Sequence, residues 1–325
     1  VNPKLERVEI GRLDQIRTLR RLFGTEPRIP AAPLAALAAH VITVRIPAGT
    51  ELHSPAEPVS DTYLVVEGEL VVRYLGGRAK AFGPQSGVGI LPALAKIDHG
   101  YHSWASRDSV ALSLRIEDML EVYEDHFELM HSSLRALARE GIELRRQLPP
   151  HAGFSNIVVD SPACPVQPLD LVERVLCLRR NFGLGHSHVD ELAELARGAS
   201  EVRYPAGTPL WAAGAPAESM LLMMCGSVRG HTPEGLDFQL GAGDIVGGVD
   251  MVAEQPRWFD ATVQEDMVAL SFNREGLIDL LEDQPELGFD FLKLMATTLL
   301  SLRAQVVERT AEPVQPSAAD DSLRG

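Results

Sequence analysis

Residues Arg45–Leu52 read RIPAGTEL, and residues Arg203–Leu210 read RYPAGTPL, 158 positions later. The same offset carries Pro58 onto Pro216, Leu64 onto Leu222, Gly68 onto Gly226 and Gly83 onto Gly241. It carries Val88-Gly89 onto Val246-Gly247, and Val110–Ser113 (VALS) onto Val268–Ser271. Glu124-Asp125 and Glu128-Leu129 recur as Glu282-Asp283 and Glu286-Leu287, so no gap is needed between Arg45 and Leu129. Upstream, LRRLFG from Leu19 matches LRRNFG from Leu178 at an offset of 159. A fixed offset held over this length marks one structural unit written twice. The length of 325 residues agrees, since an ordinary domain takes about 150.

Each copy follows one plan. Helical lead-ins are expected around Leu13–Phe23 and Pro33–His40 in the first copy, and around Leu169–Phe182 and Val189–Arg197 in the second. Ser187 with Asp190 and Glu191 reads as a helix start. Short β-type runs follow: VITVRI, TYLVVEGELVVRY and VALSLRI, then EVRY, SMLLMMCGSVRG and MVALSF. Gly and Pro turns punctuate them, at Pro47-Ala48-Gly49, Gly68 and Gly76-Gly77, and that spacing predicts an antiparallel barrel or roll. Helices close the copies over Glu117–Gln147 and Arg274–Arg309, with apolar residues at helical spacing (Met119, Tyr123, Phe127, Met130, Leu134, Leu137; Leu277, Leu281, Leu287, Phe291, Leu294, Leu302). The expected fold class is mainly β with α (α+β): two antiparallel β-rolls of jelly-roll type, each flanked by helices. The expected units are 1–147, a proline-rich linker 148–168, 169–310, and a disordered tail 311–325.

Composition narrows the function. No run of about 20 apolar residues exists, so no membrane span is expected, and the polar N-terminus does not read as a signal peptide. Cys164, Cys177 and Cys225 are odd in number and lack metal-site spacing; they read as reduced thiols of a cytoplasmic protein. The net charge of −15 is unevenly shared, with −1 in residues 1–150 and −14 in residues 151–325. Such an acidic second half repels a phosphate backbone, and direct nucleic-acid binding is not expected. The arginines Arg17, Arg20, Arg21, Arg135, Arg139, Arg145 and Arg146 of the first half read as solvated helix surface.

Each copy resembles the cyclic nucleotide-binding domain, the β-roll module of catabolite activator protein and of protein kinase A regulatory subunits. The resemblance rests on the Pro-x-Gly-Thr entry turn, on Val66–Leu70 (VEGEL), on Gly243–Gly247 (GDIVG), and on the run from Val268 to Glu286 that ends in LLEDQPE. The family's phosphate-binding cassette reads roughly FGE(L/I)AL, a spacer, then (P)RAAT. Backbone N–H groups and an Arg there hold the cyclic phosphate, and the Glu accepts from the ribose hydroxyl. In the first copy Gly89 is followed by Ile90 at the Glu position, Pro92 removes a donor, and His99 stands at the Arg position. In the second copy Gly247 is followed by Gly248 at the Glu position, with Asp250 beyond it. Arg257 keeps the Arg spacing, and two extra residues precede Ala261-Thr262. A hydrogen bond to a charged partner is worth about 1.5–3 kcal/mol, so both cassettes read as degenerate. The resemblance leaves Gly247, Gly248, Arg257, Ala261 and Thr262 as the ligand-binding candidates, for a cyclic nucleotide or another anionic small molecule.

Other motifs carry less. Asp98–His102 (DHGYH) reads as a surface loop, His186-Ser187-His188 as a helix start, and His126 and His131 as helix surface. Trp258-Phe259 reads either as a cover over a ligand or as a plug or partner contact. No catalytic or metal motif occurs, and no catalytic residue or cofactor is expected. In the family's regulators a helix-turn-helix follows the roll, and Glu308–Gly325 is too short for one. The expectation is a non-enzymatic, cytoplasmic regulatory or scaffold protein acting through a protein partner or as a homodimer, with the two long helices as interfaces. The alternative is a small-molecule sensor that binds in the second unit and signals through its C-terminal helices.

Overall fold

The computed structural model describes residues 5–22, 29–74, 77–148, 163–180, 184 and 187–309. Several expectations lie outside this set: Phe23-Gly24, Gly76, Asn181–Gly183, His186, most of the linker (149–162) and the tail 311–325. The first copy runs β1 (Glu6–Arg7), α1 (Arg12–Leu22), α2 (Ala31–His40), β2 (Ile42–Ile46), β3 (Glu51–His53), β4 (Asp61–Glu67), β5 (Leu70–Tyr74), β6 (Lys80–Phe82), β7 (Gly87–Val88), α3 (Ile90–Leu94), β8 (Tyr101–Ala105), β9 (Ser109–Arg115), α4 (Ile116–Asp125) and α5 (Phe127–Arg146). The second runs α6 (Leu171–Arg180), α7 (Val189–Gly198), β10 (Ser200–Tyr204), β11 (Pro209–Trp211), β12 (Ser219–His231), β13 (Asp237–Leu240), β14 (Ile245–Val246), α8 (Gly248–Ala253), β15 (Asp260–Asn273), α9 (Arg274–Asp283) and α10 (Pro285–Arg309).

All strand pairs are antiparallel. In the first roll one sheet has the order β1-β2-β9-β4-β7 and the other β3-β8-β5-β6. In the second roll the long strands β12 and β15 pass through both halves, so one sheet carries β10-β15-β12-β13 with β11 and β14 added. The repeat extends to register. Thr43 faces Leu112 as Glu201 faces Leu270, and Leu64 faces Leu112 as Leu222 faces Leu270. Strict alternation explains the strands: β8 buries Tyr101, Ser103 and Ala105, and β13 buries Phe238 and Leu240, every second residue facing inward. Where β4 breaks from β5, and where β12 shifts register, the chain places Gly68 (φ +88°) and Gly226 (φ +85°).

The closing helices differ from the expectation of one helix per copy. His126 (φ −137°, ψ 75°) separates α4 from α5, and Gln284 (φ −128°, ψ 78°) separates α9 from α10 at the equivalent position. The break redirects the chain. α4 stays against α2 and β9 of its own roll, and α9 stays against α7 and β15. Beyond the break α5 crosses to α8 of the second roll, and α10 crosses to α3 of the first. The crossing helices also pack on each other, buried along the row Met130, Leu134, Ala138 and Ile142 of α5. Met130 meets Gly288, and Gly141 meets Leu299. Each of these pairs joins a residue to its own repeat, which is the mark of an approximate two-fold axis between parallel helices. The faces expected to serve as interfaces thus meet inside one chain.

The cysteine expectation is corrected. Cys164 and Cys225 form a disulfide with their Cα atoms 5.3 Å apart, and Cys177 is free. The chain entering the second copy runs alongside the roll, where Arg203 donates to the carbonyls of Pro165 (2.6 Å) and Gln167 (2.7 Å). That path brings together two cysteines 61 positions apart, and cysteine usage no longer argues for a reducing compartment. The helix start is shifted as well. His188 is the N-cap, its N–H bonded to the Glu191 carboxylate, while Ser187 donates to Asp290. Among the described residues no helix is long and apolar enough to cross a membrane.

A Cβ on Gly288 would lie 2.5 Å from Met130 Cε. Gly288→Val is expected to lower stability by about 1–3 kcal/mol through overpacking. Combined with Met130→Ala it should cost less than the sum of the single changes, as read from urea midpoints.

Candidate functional site

The second cassette begins where β14 ends. Gly247 takes a left-handed conformation (φ +74°) and starts the short helix α8. A Cβ there would strike the Arg257 guanidinium, so this position must be glycine for the arginine to reach the cassette. Arg257 is held by its own backbone, its N–H on Ala215 O and its carbonyl accepting from Gly214 (both 2.8 Å). From there the side chain turns inward. Its guanidinium donates to Gly247 O (2.8 Å), to Asp250 Oδ2 (3.1 Å) and to Ser219 O, and lies 4.0 Å above the Trp211 ring. Arg257 is 3% exposed and Asp250 1%. Burial pushes the Asp250 carboxyl above the usual range, and the Arg257 charge pulls against that shift. The positive charge expected for a phosphate is therefore matched by a carboxylate from the same cassette.

The remaining candidates sit around this pair. Gly248 is the first residue of α8 and is packed against Ile245. Ala261 lies in the ladder opposite Trp211 and Gly230, and Thr262 opposite Pro209 and Arg229. Neither bonds to the guanidinium. Trp258 and Phe259 are buried: Trp258 stacks on Phe238 (5.5 Å), and Phe259 meets Phe238 (5.0 Å) and Trp211 (5.8 Å) edge-on. Their rings pack on Phe238 and also wall the space between α8 and the long helices.

The first cassette solves the same geometry with other residues. Gly89 repeats the left-handed start (φ +87°) of α3. His53, which aligns with Trp211, fills the space that Arg257 takes in the second roll. Its Nε2 donates to Asp61 O (2.7 Å), and its Nδ1 accepts from the Ser103 hydroxyl (2.6 Å). A carbonyl only accepts, and burial lowers the His53 pKa, so this is the neutral ring protonated at Nε2. Asp61 in turn aligns with Ser219, whose carbonyl binds Arg257. The Tyr101 hydroxyl accepts from Gly89 N (3.0 Å), and burial pushes its pKa up to about 12. Ile90 faces a cavity of about 320 Å3 shared with Tyr74, Phe82 and Tyr101. His99 is exposed and paired with Asp98, away from the cassette glycine. Sequence reasoning missed His53, although the 158-residue offset places it opposite Trp211.

Each cassette is also clamped by the other copy's helix. Glu254, at the end of α8, receives Arg135 (3.0 Å) and His131 (3.2 Å) from α5, and Arg139 Nε donates to Ala253 O (3.1 Å). His131 and Arg135 are thus inter-copy contacts rather than free helix surface. Glu140 of α5 pairs with Arg303 of α10 (2.6 Å), beside the first cavity. A second cavity, of about 430 Å3, lies between α8, Trp258-Phe259 and both long helices. Among the described residues no group of three or more His, Cys, Asp or Glu side chains is placed to hold a metal ion.

Because His53 is held neutral, the folded state binds fewer protons than the unfolded chain below about pH 6.5. Stability is then full above that pH and falls on acidification, with a slope approaching about 1.4 kcal/mol per pH unit for one proton. His131, also lowered by burial, adds the same sign. Urea melts between pH 7 and 5 should show this fall, and it should be shallower in His53→Gln; equal slopes would remove His53 from the account.

Residues 201–284 match the model of the cyclic nucleotide-binding domain. The chain is 26% identical over 113 residues to the CRP-like cAMP-activated global transcriptional regulator of Mycobacterium tuberculosis, a match over 33% of this chain and 50% of the relative. It spans about half the length of the curated relatives it matches. Among solved structures it is similar to the regulatory domain of Toxoplasma gondii PKA with cAMP (16% identity, 86% of this chain and 97% of that one, TM-score 0.32). It is similar also to a cyclic nucleotide-binding domain from Methylobacillus flagellatus (21% identity, 45% and 86%, TM-score 0.38). Residues 201–284 carry the sequence pattern of the cyclic nucleotide-binding domain, and the first copy repeats the same antiparallel roll at an offset of 158 residues.

Proposed function

We propose that this chain is a non-enzymatic regulatory protein whose cassettes are held closed by their own side chains and which acts through contacts with another protein. The observation that carries this reading is the sealed guanidinium of Arg257. A cyclic phosphate arriving at the second cassette would have to displace Asp250, two backbone carbonyls and the Trp211 ring face. Neither Gly248 nor Ile90 offers a carboxylate to a ribose, and the exposed His99 ring is paired with Asp98. In the first cassette His53 and Tyr101 occupy the backbone groups that a ligand would address. The matched relatives are named as regulators, and the crosswise helices give a route by which a partner on one copy is felt at the other. The acidic second half supports a protein rather than a nucleic acid as that partner.

The test is a thermal and calorimetric titration of the full chain with cAMP and cGMP at about 100 μM. A ligand with a Kd near 1 μM would add about 2.7 kcal/mol of stability at that concentration. No shift of Tm and no binding heat are expected for either nucleotide. Saturable heat that is lost in Arg257→Met would show that the arginine serves a phosphate, and the anionic-ligand reading of the second roll would replace this one.

A further inference from the structure

The offset of 159 that joins LRRLFG to LRRNFG also carries the segment before α1 onto the segment before α6. Leu5 falls on Cys164, Glu6 on Pro165, Glu9 on Pro168 and Ile10 on Leu169. In the first copy this segment is held by backbone pairing and apolar burial. Glu6 and Arg7 pair with Arg45 and Val44 of β2, and the Val8 N–H donates to Thr43 O (3.0 Å). Leu5 is 9% exposed and belongs to the interior cluster of the first roll. In the second copy the residues for both holds have changed. Pro165 and Pro168 lack the N–H that a ladder needs, and a cysteine stands at the place of the buried leucine.

One covalent bond and two side chains take over. Cys164 is bonded to Cys225, Arg203 donates to Pro165 O (2.6 Å) and Gln167 O (2.7 Å), and Glu201 accepts from the Leu169 N–H (2.6 Å). The segment gives little to the core in return. Val166 is 93% exposed, Gln167 and Pro168 are exposed, and the residues packed on the apolar core resume at Leu169. Cys225 is fully buried in β12, whereas Cys164 is only partly buried. The sulfur that a thiol in solution meets first is therefore on the segment, and the sulfur that must stay packed is on the roll.

We propose that the Cys164–Cys225 bond is a redox latch on the second copy. Oxidised, it holds residues 163–168 along the edge of the roll at β10; reduction by a dithiol releases them while the roll stays folded. A thiolate of the dithiol attacks Cys164 Sγ and displaces Cys225 as a thiolate. The second thiolate then attacks the mixed disulfide and displaces Cys164. The dithiol leaves as a cyclic disulfide, two electrons have passed to the cysteines, and each cysteine takes up one proton. Release uncovers the outer edge of β10, the counterpart of the β2 edge that β1 keeps paired in either redox state. The two copies thus differ in what governs an edge strand: backbone pairing in the first, a reducible bond in the second. The latch lies outside both cassettes and does not depend on their being closed.

The test compares the full chain before and after native treatment with dithiothreitol. Alkylation in denaturant should count one free thiol before treatment and three after it. Hydrogen exchange read by mass spectrometry should then rise by about tenfold or more over 163–169 and stay unchanged over 5–10. Urea unfolding should remain cooperative after reduction, and Cys225→Ala should exchange like the reduced chain in either buffer. Three free thiols in the untreated chain, a bond that yields to dithiothreitol only in denaturant, or equal exchange over 163–169 in both states would overturn the proposal. So would a redox response kept in Cys225→Ala. Loss of the cooperative urea transition on reduction would overturn it as well, because the bond would then be a staple of the fold rather than a latch.

Discussion

Met130 rests against Gly288, and Gly141 against Leu299. These two contacts join residues to their own repeats and hold α5 and α10 parallel across an approximate two-fold axis. Most of the molecule depends on that pairing. It sets each long helix over the opposite cassette, brings Glu254 to Arg135 and His131, and brings Glu140 to Arg303. It also joins the second roll's interior and both sets of helices into one continuous apolar core, beside a smaller separate core inside the first roll. Two copies in one chain meet at fixed stoichiometry, and each is free to change its own surface. The charge divergence of the halves, −1 against −14, follows that freedom.

The cassettes show what the duplication kept and what it let go. Both retain a left-handed glycine, because any Cβ there would collide with the group that closes the cassette. The closing group itself differs. An arginine neutralised by Asp250 serves in the second roll, and a neutral histidine in the first. Both devices reach the same carbonyl position, Ser219 O and Asp61 O. In both rolls the closing group donates to a backbone carbonyl, while Arg257 Nε and Asp250 Oδ1 are left without a hydrogen bond among the described residues.

Much of this was legible in the sequence. The fixed offset disclosed the duplication, and alternation with Gly and Pro turns disclosed the rolls. The stripes on the closing helices showed that a face is buried. They did not show against what, since an amphipathic stripe names no partner, and the break that redirects the helices is signalled in the second copy, where Pro285 follows Gln284, but not at His126. Asp250 and Arg257 were both visible, but their pairing depends on how the cassette folds back over Gly247. His53 was hidden because the resemblance directs attention to the cassette rather than to the strand edge beneath it. The Cys164–Cys225 bond was hidden because 61 residues of sequence say nothing of which segment borders β12.

The central claim is that Arg257 is committed to Asp250 rather than kept for a ligand. A double-mutant cycle on chemical unfolding tests it most directly, using Asp250→Leu, Arg257→Met and the pair together. Removing one partner of a buried ion pair should cost about 3–5 kcal/mol, whereas an apolar replacement of both should be far milder. The account predicts that the double variant is more stable than either single variant. Simple additivity of the two single losses would contradict it.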